Sequence, residues 1–79
     1  MKLPRDISGG ELTKKLKVFG YEVTRQSGSH LRLTTTKNGE HHVSIPNHDS
    51  FRVGTLVSIL NTIAEHFHKT REEIINEIF

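Results

Sequence analysis

His30 is the residue of this chain best placed to do chemistry. It follows the short flexible element Ser27-Gly28-Ser29 and opens an apolar/polar alternating run, Leu31-Arg32-Leu33. Histidine titrates near neutral pH, with a reference pKa of about 6.5, so an imidazole held rigidly on an exposed sheet face is a candidate proton carrier. A solvated hairpin histidine has the same local sequence, and both readings stand at this level.

The other chemistries open to six histidines fail on spacing. His41 and His42 are neighbours in a strand and point to opposite faces, while His66 and His68, two apart on a helix, diverge. No histidine pairs with another at i,i+4, no HExxH pattern occurs, and no cysteine supplies a thiolate, so neither a metal centre nor a disulfide is expected. A Ser-His-Asp arrangement is weak too. Ser29 directly precedes His30, so their side chains project apart, and there is no Gly-x-Ser-x-Gly elbow. Gly9-Gly10 is too isolated for a phosphate loop and reads as the start of a helix. One imidazole acting alone suits reactions in which a single acid or base suffices. RNA cleavage is one, because the substrate brings its own nucleophile, the 2′-hydroxyl, and such proton transfer contributes roughly 10²- to 10⁴-fold.

The elements that must position His30 follow from periodicity and capping. Ser8-Gly9-Gly10-Glu11 has the form of a capping box, and Leu12, Leu16 and Phe19 follow at helical spacing before Gly20, predicting a helix over residues 9–19. Strands are predicted at 21–25, with Tyr21 and Val23 on one face, at 30–37 and at 40–45. Asn38-Gly39 is a strong hairpin signal, because a type I′ turn needs positive φ at both central residues. After Pro46 and a polar loop, Leu56, Ile59, Leu60, Ile63 and Phe67 form one stripe of a second helix that begins near Gly54-Thr55 and ends at Lys69. Thr70-Arg71-Glu72-Glu73 is a second capping box, opening a short helix with Ile74, Ile75 and Ile78.

One apolar face per strand and one stripe per helix pack consistently only as an α+β domain with both main helices on one side of a three-stranded antiparallel sheet. Alternation then leaves His30, Arg32, Thr34, His42 and Ser44 on the open face. At 79 residues the chain is expected to form a single domain, 1–79, that buries only about 60–65% of its unfolded surface, so function is expected on an open face. The N-terminus lacks an apolar signal core and no stretch approaches the roughly 20 apolar residues of a membrane span, which together predict a cytoplasmic protein with no membrane partner. Net charge is only +2, yet residues 1–20 carry five Lys/Arg against two acids and residues 47–79 three against five. The basic side is where phosphates would approach.

Three motifs in series, Ser27-Gly28-Ser29-His30, Ile45-Pro46-x-His48 and Gly54-Thr55-Leu56-x-x-Ile59-Leu60, resemble those of the HicA (YcfA-like) toxin family of HicAB toxin–antitoxin systems, over about residues 8–79. The resemblance implies a fold related to the double-stranded RNA-binding domain, ordered α-β-β-β-α plus a short C-terminal helix. It also implies mRNA cleavage and neutralisation by a HicB-like antitoxin protein. The family's functional histidine falls on His30, its turn glycine on Gly28, and its Gly-Thr on Thr55, where free helix amides would hold a phosphate. His48 matches a position often occupied by histidine and is read as loop packing. The chain departs from the pattern at His30-Leu31, where many members carry two successive histidines. Residues 61–69 are longer than in the shortest members, an extension open to antitoxin contact or to self-association.

The resulting expectation is a metal-independent endoribonuclease needing no cofactor, with His30 as general base or acid. Its candidate RNA-binding residues are Lys14, Lys15, Gly28, Ser29, Arg32 and Thr55, and its partners are mRNA, a HicB-like antitoxin and, in one reading, a second copy of the chain. A non-catalytic RNA-binding module recognising 2′-hydroxyls and phosphates, and a module binding only the antitoxin, are the alternatives.

Overall fold

The structure is a computed structural model that describes residues 3 and 7–79. Met1, Lys2, Pro4, Arg5 and Asp6, which carry the reading of the N-terminus and part of its basic charge, lie outside the described residues. The element order is α1 (Gly9–Leu16), a 3₁₀ turn (Lys17–Phe19), β1 (Glu22–Ser27), β2 (His30–Thr35), β3 (His41–Pro46), α2 (Val53–Phe67) and α3 (Arg71–Ile78). Both capping boxes form. Ser8 Oγ accepts from the Glu11 amide at 3.0 Å, and Thr70 Oγ1 accepts from the Glu73 amide at 3.1 Å. The first helix ends as 3₁₀ because Gly20, at φ 82°, turns the chain sharply so that Tyr21 enters the core.

The sheet is antiparallel in the order β1-β2-β3, and its two faces differ sharply. Leu31, Leu33, Thr35, Val43 and Ile45 are buried, against exposed His30, Arg32, His42 and Ser44. Their partners are Leu12, Leu16, Leu56, Ile59, Leu60, Ile63, Ala64 and the three isoleucines of α3, all in one hydrophobic cluster with Tyr21. The helices thus cover one face of a three-stranded antiparallel sheet and leave the other open, an α+β arrangement of the double-stranded RNA-binding type. No helix among the described residues is long and apolar enough to cross a membrane.

Two details of register differ from the sequence expectation. A two-residue loop at Asn38-Gly39 would pair Lys37 with Glu40 and set Leu33 opposite Ser44. The observed register sets Leu33 opposite Val43 and ends at Thr35 opposite His41, one residue away. Asn38 and Gly39 do take positive φ, 56° and 96°, but inside a longer loop. Burial of matched apolar faces outweighs the local turn preference, because a one-residue slip would send a whole strand's side chains to the wrong side. The second difference lies in β1, which starts at Glu22 rather than Tyr21, runs on to Ser27, and carries a bulge between Val23 and Arg25. Pro46 closes β3 as the ladder partner of His30, a position open to proline because β3 is an edge strand.

The loop at Asn38-Gly39 is held by α2. His66 Nε2 donates to the carbonyls of Lys37 and Gly39 at 2.9 and 3.1 Å, and Asn38 Nδ2 donates to the His66 carbonyl at 2.8 Å. His66 stacks on His41 at 4.3 Å between ring centres, and Tyr21 Oη lies 2.7 Å from His41 Nδ1, with Phe67 packed on Tyr21 and Phe19. The residues 61–69 therefore have a packing role. Burial pushes the Tyr21 phenol up to about 12. His41 is held below its ordinary value by burial first, then by neighbouring His66 and His42, with Glu65 opposing.

Two outcomes are expected. Gly9 packs against the Pro46 carbonyl so closely that a Cβ there meets backbone, whereas one at Gly10 meets only Ser8 Oγ at an ordinary contact distance of 4.0 Å. Denaturant unfolding should show Gly9→Ala destabilised by about 1–3 kcal/mol and Gly10→Ala stabilised by about 0.5–1 kcal/mol. Because His41 binds its proton less readily folded than unfolded, its contribution to stability is intact above pH 6.5 and is lost as pH falls toward its lowered native value. His41→Asn, which keeps an acceptor for Tyr21, should flatten the melting temperature against pH on that acid side.

Candidate nucleic-acid interface

His30 is placed by a tight hairpin. Ser27 and His30 are the last ladder pair of β1 and β2, so Gly28 and Ser29 alone make the turn, with positive φ (56°) at Gly28 only, the type II′ pattern. Nothing lies within 4 Å of where a Gly28 side chain would start, so the glycine answers to backbone conformation rather than to space. The Ser29 carbonyl accepts from the Asn47 amide at 2.6 Å, tying the turn to the segment after β3. His30 is therefore gripped by its backbone on both sides, opposite Ser27 and Pro46, while its exposed imidazole has no hydrogen-bond partner among the described residues.

Two shallow depressions meet at this imidazole, and both are lined by His30 and Ser44. One, of about 220 Å³, adds Arg25, Ser27 and Arg32. The other, of about 460 Å³, adds Pro46, Gly54, Thr55, Ser58 and Ile59. The second is floored by the start of α2, whose N-cap residue Arg52 gives no side-chain cap. The Thr55 and Leu56 amides bond to the Arg52 carbonyl, whereas those of Val53 and Gly54 have no backbone partner among the described residues. Such amides, with the helix dipole behind them, suit an anion.

The bulge in β1 decides what else joins this face. Strict alternation from Tyr21 and Val23 would put Arg25 with them on the covered side. Instead Val23 pairs with Leu33 and Arg25 with Arg32, so Thr24 is the extra residue and Arg25 is delivered to the open face. A polar chain fastens this geometry. The Glu40 carboxylate accepts from His42 Nε2 at 2.9 Å, and His42 Nδ1 lies 2.7 Å from Thr34 Oγ1. Thr34 in turn lies 2.8 Å from Thr24 Oγ1, which is 3.4 Å from the Arg32 carbonyl.

Of the residues singled out from sequence, the structure brings His30 and Arg32, with the turn residues Gly28 and Ser29, to one end of the open face, and sets Thr55, at the start of α2, in the depression that also takes in His30 and Ser44. It does not bring Lys14 and Lys15 there. Both are exposed on α1, and Lys14 lines a separate groove with Lys17, Glu22, Val23 and Leu31. His48 is exposed, and its carbonyl accepts from the Gly9 amide at 3.0 Å. Sequence reasoning missed Arg25, Ser27 and Ser58. Ser27 falls in place once the strand is extended to the turn, but Arg25 depends on a bulge that no residue pattern announces. No group of three or more His, Asp or Glu among the described residues is arranged to hold a metal ion.

A family model described as the HicA toxin of bacterial toxin–antitoxin systems matches residues 9–64, which take in α1, the whole sheet and most of α2. Neither the curated proteins nor the solved structures give a significant match.

Proposed function

The chain belongs to the HicA toxin family of bacterial toxin–antitoxin systems, and on that premise we propose that it is a metal-independent endoribonuclease that cleaves mRNA with His30 as its proton-transferring group. Family membership entails an antitoxin partner in general, and the partner proposed is a HicB-like protein. The observation that carries the reading is the exposed, unpartnered His30 imidazole at the junction of a depression lined by arginines and one floored by free helix amides.

The chemistry asks little beyond this. Neutral His30 takes the proton of the 2′-hydroxyl, the 2′-oxygen forms a bond to phosphorus, and the bond from phosphorus to the 5′-oxygen breaks. The imidazolium then returns the proton to the departing 5′-oxygen. Products are a 2′,3′-cyclic phosphate and a 5′-hydroxyl, and the imidazole ends as it began. Arg32 beside the reacting phosphate offsets the charge that builds on its non-bridging oxygens. On the other side Thr55 and the open amides of α2 suit the next phosphate, while Gly28 and Ser29 hold His30 in register rather than touch substrate. Lys14 and Lys15 serve only a strand long enough to pass the β1 edge.

Purified protein incubated with single-stranded RNA should leave 2′,3′-cyclic phosphate ends. His30→Ala should lower the rate by roughly 10²- to 10⁴-fold with an unchanged melting temperature. Cleavage retained by that variant would sink the assignment. Binding without cleavage in the unaltered protein would point to the non-catalytic RNA-binding module.

A further inference from the structure

We infer that Arg25 and Arg32 form a two-armed clamp for one phosphodiester of a polynucleotide backbone, immediately beside His30. The clamp deepens the reading above and rests on it, since it supplies the anion site that the His30 chemistry needs. Arg25 was not among the residues that sequence pointed to, and it reaches this face only through the bulge at Thr24.

The argument starts from an arrangement unfavourable to the protein alone. Arg25 and Arg32 are direct cross-strand partners on one face, where like charges destabilise a sheet. Neither makes an ion pair among the described residues. The acids on the same face do not relieve them. Glu40 is taken by His42, and Glu22 stands opposite Thr34 at the far end of β1 and makes no ion pair. The bulge that creates the juxtaposition is meanwhile fastened by the chain from Glu40 through His42 and Thr34 to Thr24. A sheet that sets two arginines opposite each other on one face, with no carboxylate paired to either, is built for an external anion.

Position and shape select the anion. The arginine pair is two residues along the strand from the Ser27–His30 pair, roughly 7 Å at an extended-strand rise, and all four residues line one depression with Ser44. A guanidinium fork matches the oxygens of a phosphate, and two opposed forks take its two non-bridging oxygens from either side. The depression, about 220 Å³, is open and shallow, which suits a chain running past rather than an enclosed small molecule.

The test uses the full chain and a 2′-O-methyl oligoribonucleotide, which keeps its phosphates but cannot be cut. Arg25→Gln should weaken binding about tenfold or more and lower the slope of log affinity against log salt by about 0.7, the share of one phosphate contact on a single strand. Arg25→Lys should recover the slope but only part of the affinity, and melting temperatures of both variants should equal or exceed that of the unaltered chain. Wild-type affinity and slope in Arg25→Gln would overturn the clamp, as would a lowered melting temperature in that variant, which marks a structural arginine. Polyglutamate binding as tightly, with the same dependence on Arg25, would overturn the choice of phosphate over an acidic protein segment. The readout is independent of cleavage. If His30→Ala still cuts RNA while Arg25→Gln loses binding, the catalytic reading fails and the clamp stands, and the reverse pattern removes the clamp alone.

Discussion

Everything functional in this molecule depends on the burial of one sheet face. Leu31 and Leu33 on the central strand lie opposite Ile45 and Val43, and α1, α2 and α3 supply most of the apolar residues that share their core. Because side chains alternate along a strand, driving these four inward forces His30, Arg32, His42 and Ser44 outward. The polar face is thus a by-product of the core rather than a separate design. Its backbone is set by the core behind it, which is what the proton-transferring role proposed for His30 requires. Gly9 extends the same constraint, since its close approach to Pro46 and its bond to the His48 carbonyl join the start of α1 to the end of β3.

The bulge in β1 is the one place where the molecule departs from simple alternation, and the departure is chemical in effect. It keeps Val23 in register with core residue Leu33 while releasing Arg25 to the opposite side. Bulges next to active sites commonly re-aim a side chain in this way. Here the edge strand is free to carry one because every residue of β1 is exposed, so the extra residue disturbs no packing. The polar chain ending at Thr24 supplies locally the order that packing does not.

Much of this was legible in the residues, and the reasons for the rest are specific. Capping boxes at Ser8 and Thr70, the stripe from Leu56 to Ile63 and the outward set from His30 to Ser44 are local or strictly periodic, so they survive folding unchanged. The turn at Asn38-Gly39 is longer than its residues predict because His66, 28 residues away from Asn38 in sequence, bonds the loop's carbonyls and thereby competes with local preference. Spacing separates His41 and His66 from their sequence neighbours, yet nothing in it shows that strand and helix stack them on each other. Arg25 was missed for a different reason: a bulge replaces one ladder bond with side-chain bonds, and hydroxyl residues such as Thr24 and Thr34 are too common in strands to announce one.

The position after His30 matters to the single-imidazole site proposed above. The resemblance to HicA toxins implies a second histidine, in many members, where this chain has Leu31. Leu31 is 7% exposed, pairs with Ile45, and points to the side covered by α1, where it lines the groove with Lys14 and Val23. A histidine in that place would face away from the depressions that His30 joins, on the other side of the sheet, and no rotamer would bring it through. Leucine at 31 therefore removes nothing from the side of the sheet that carries the proposed site. What it adds is apolar area to the strand that carries His30, so the same residue that a second ring would replace helps to hold the proposed site in place.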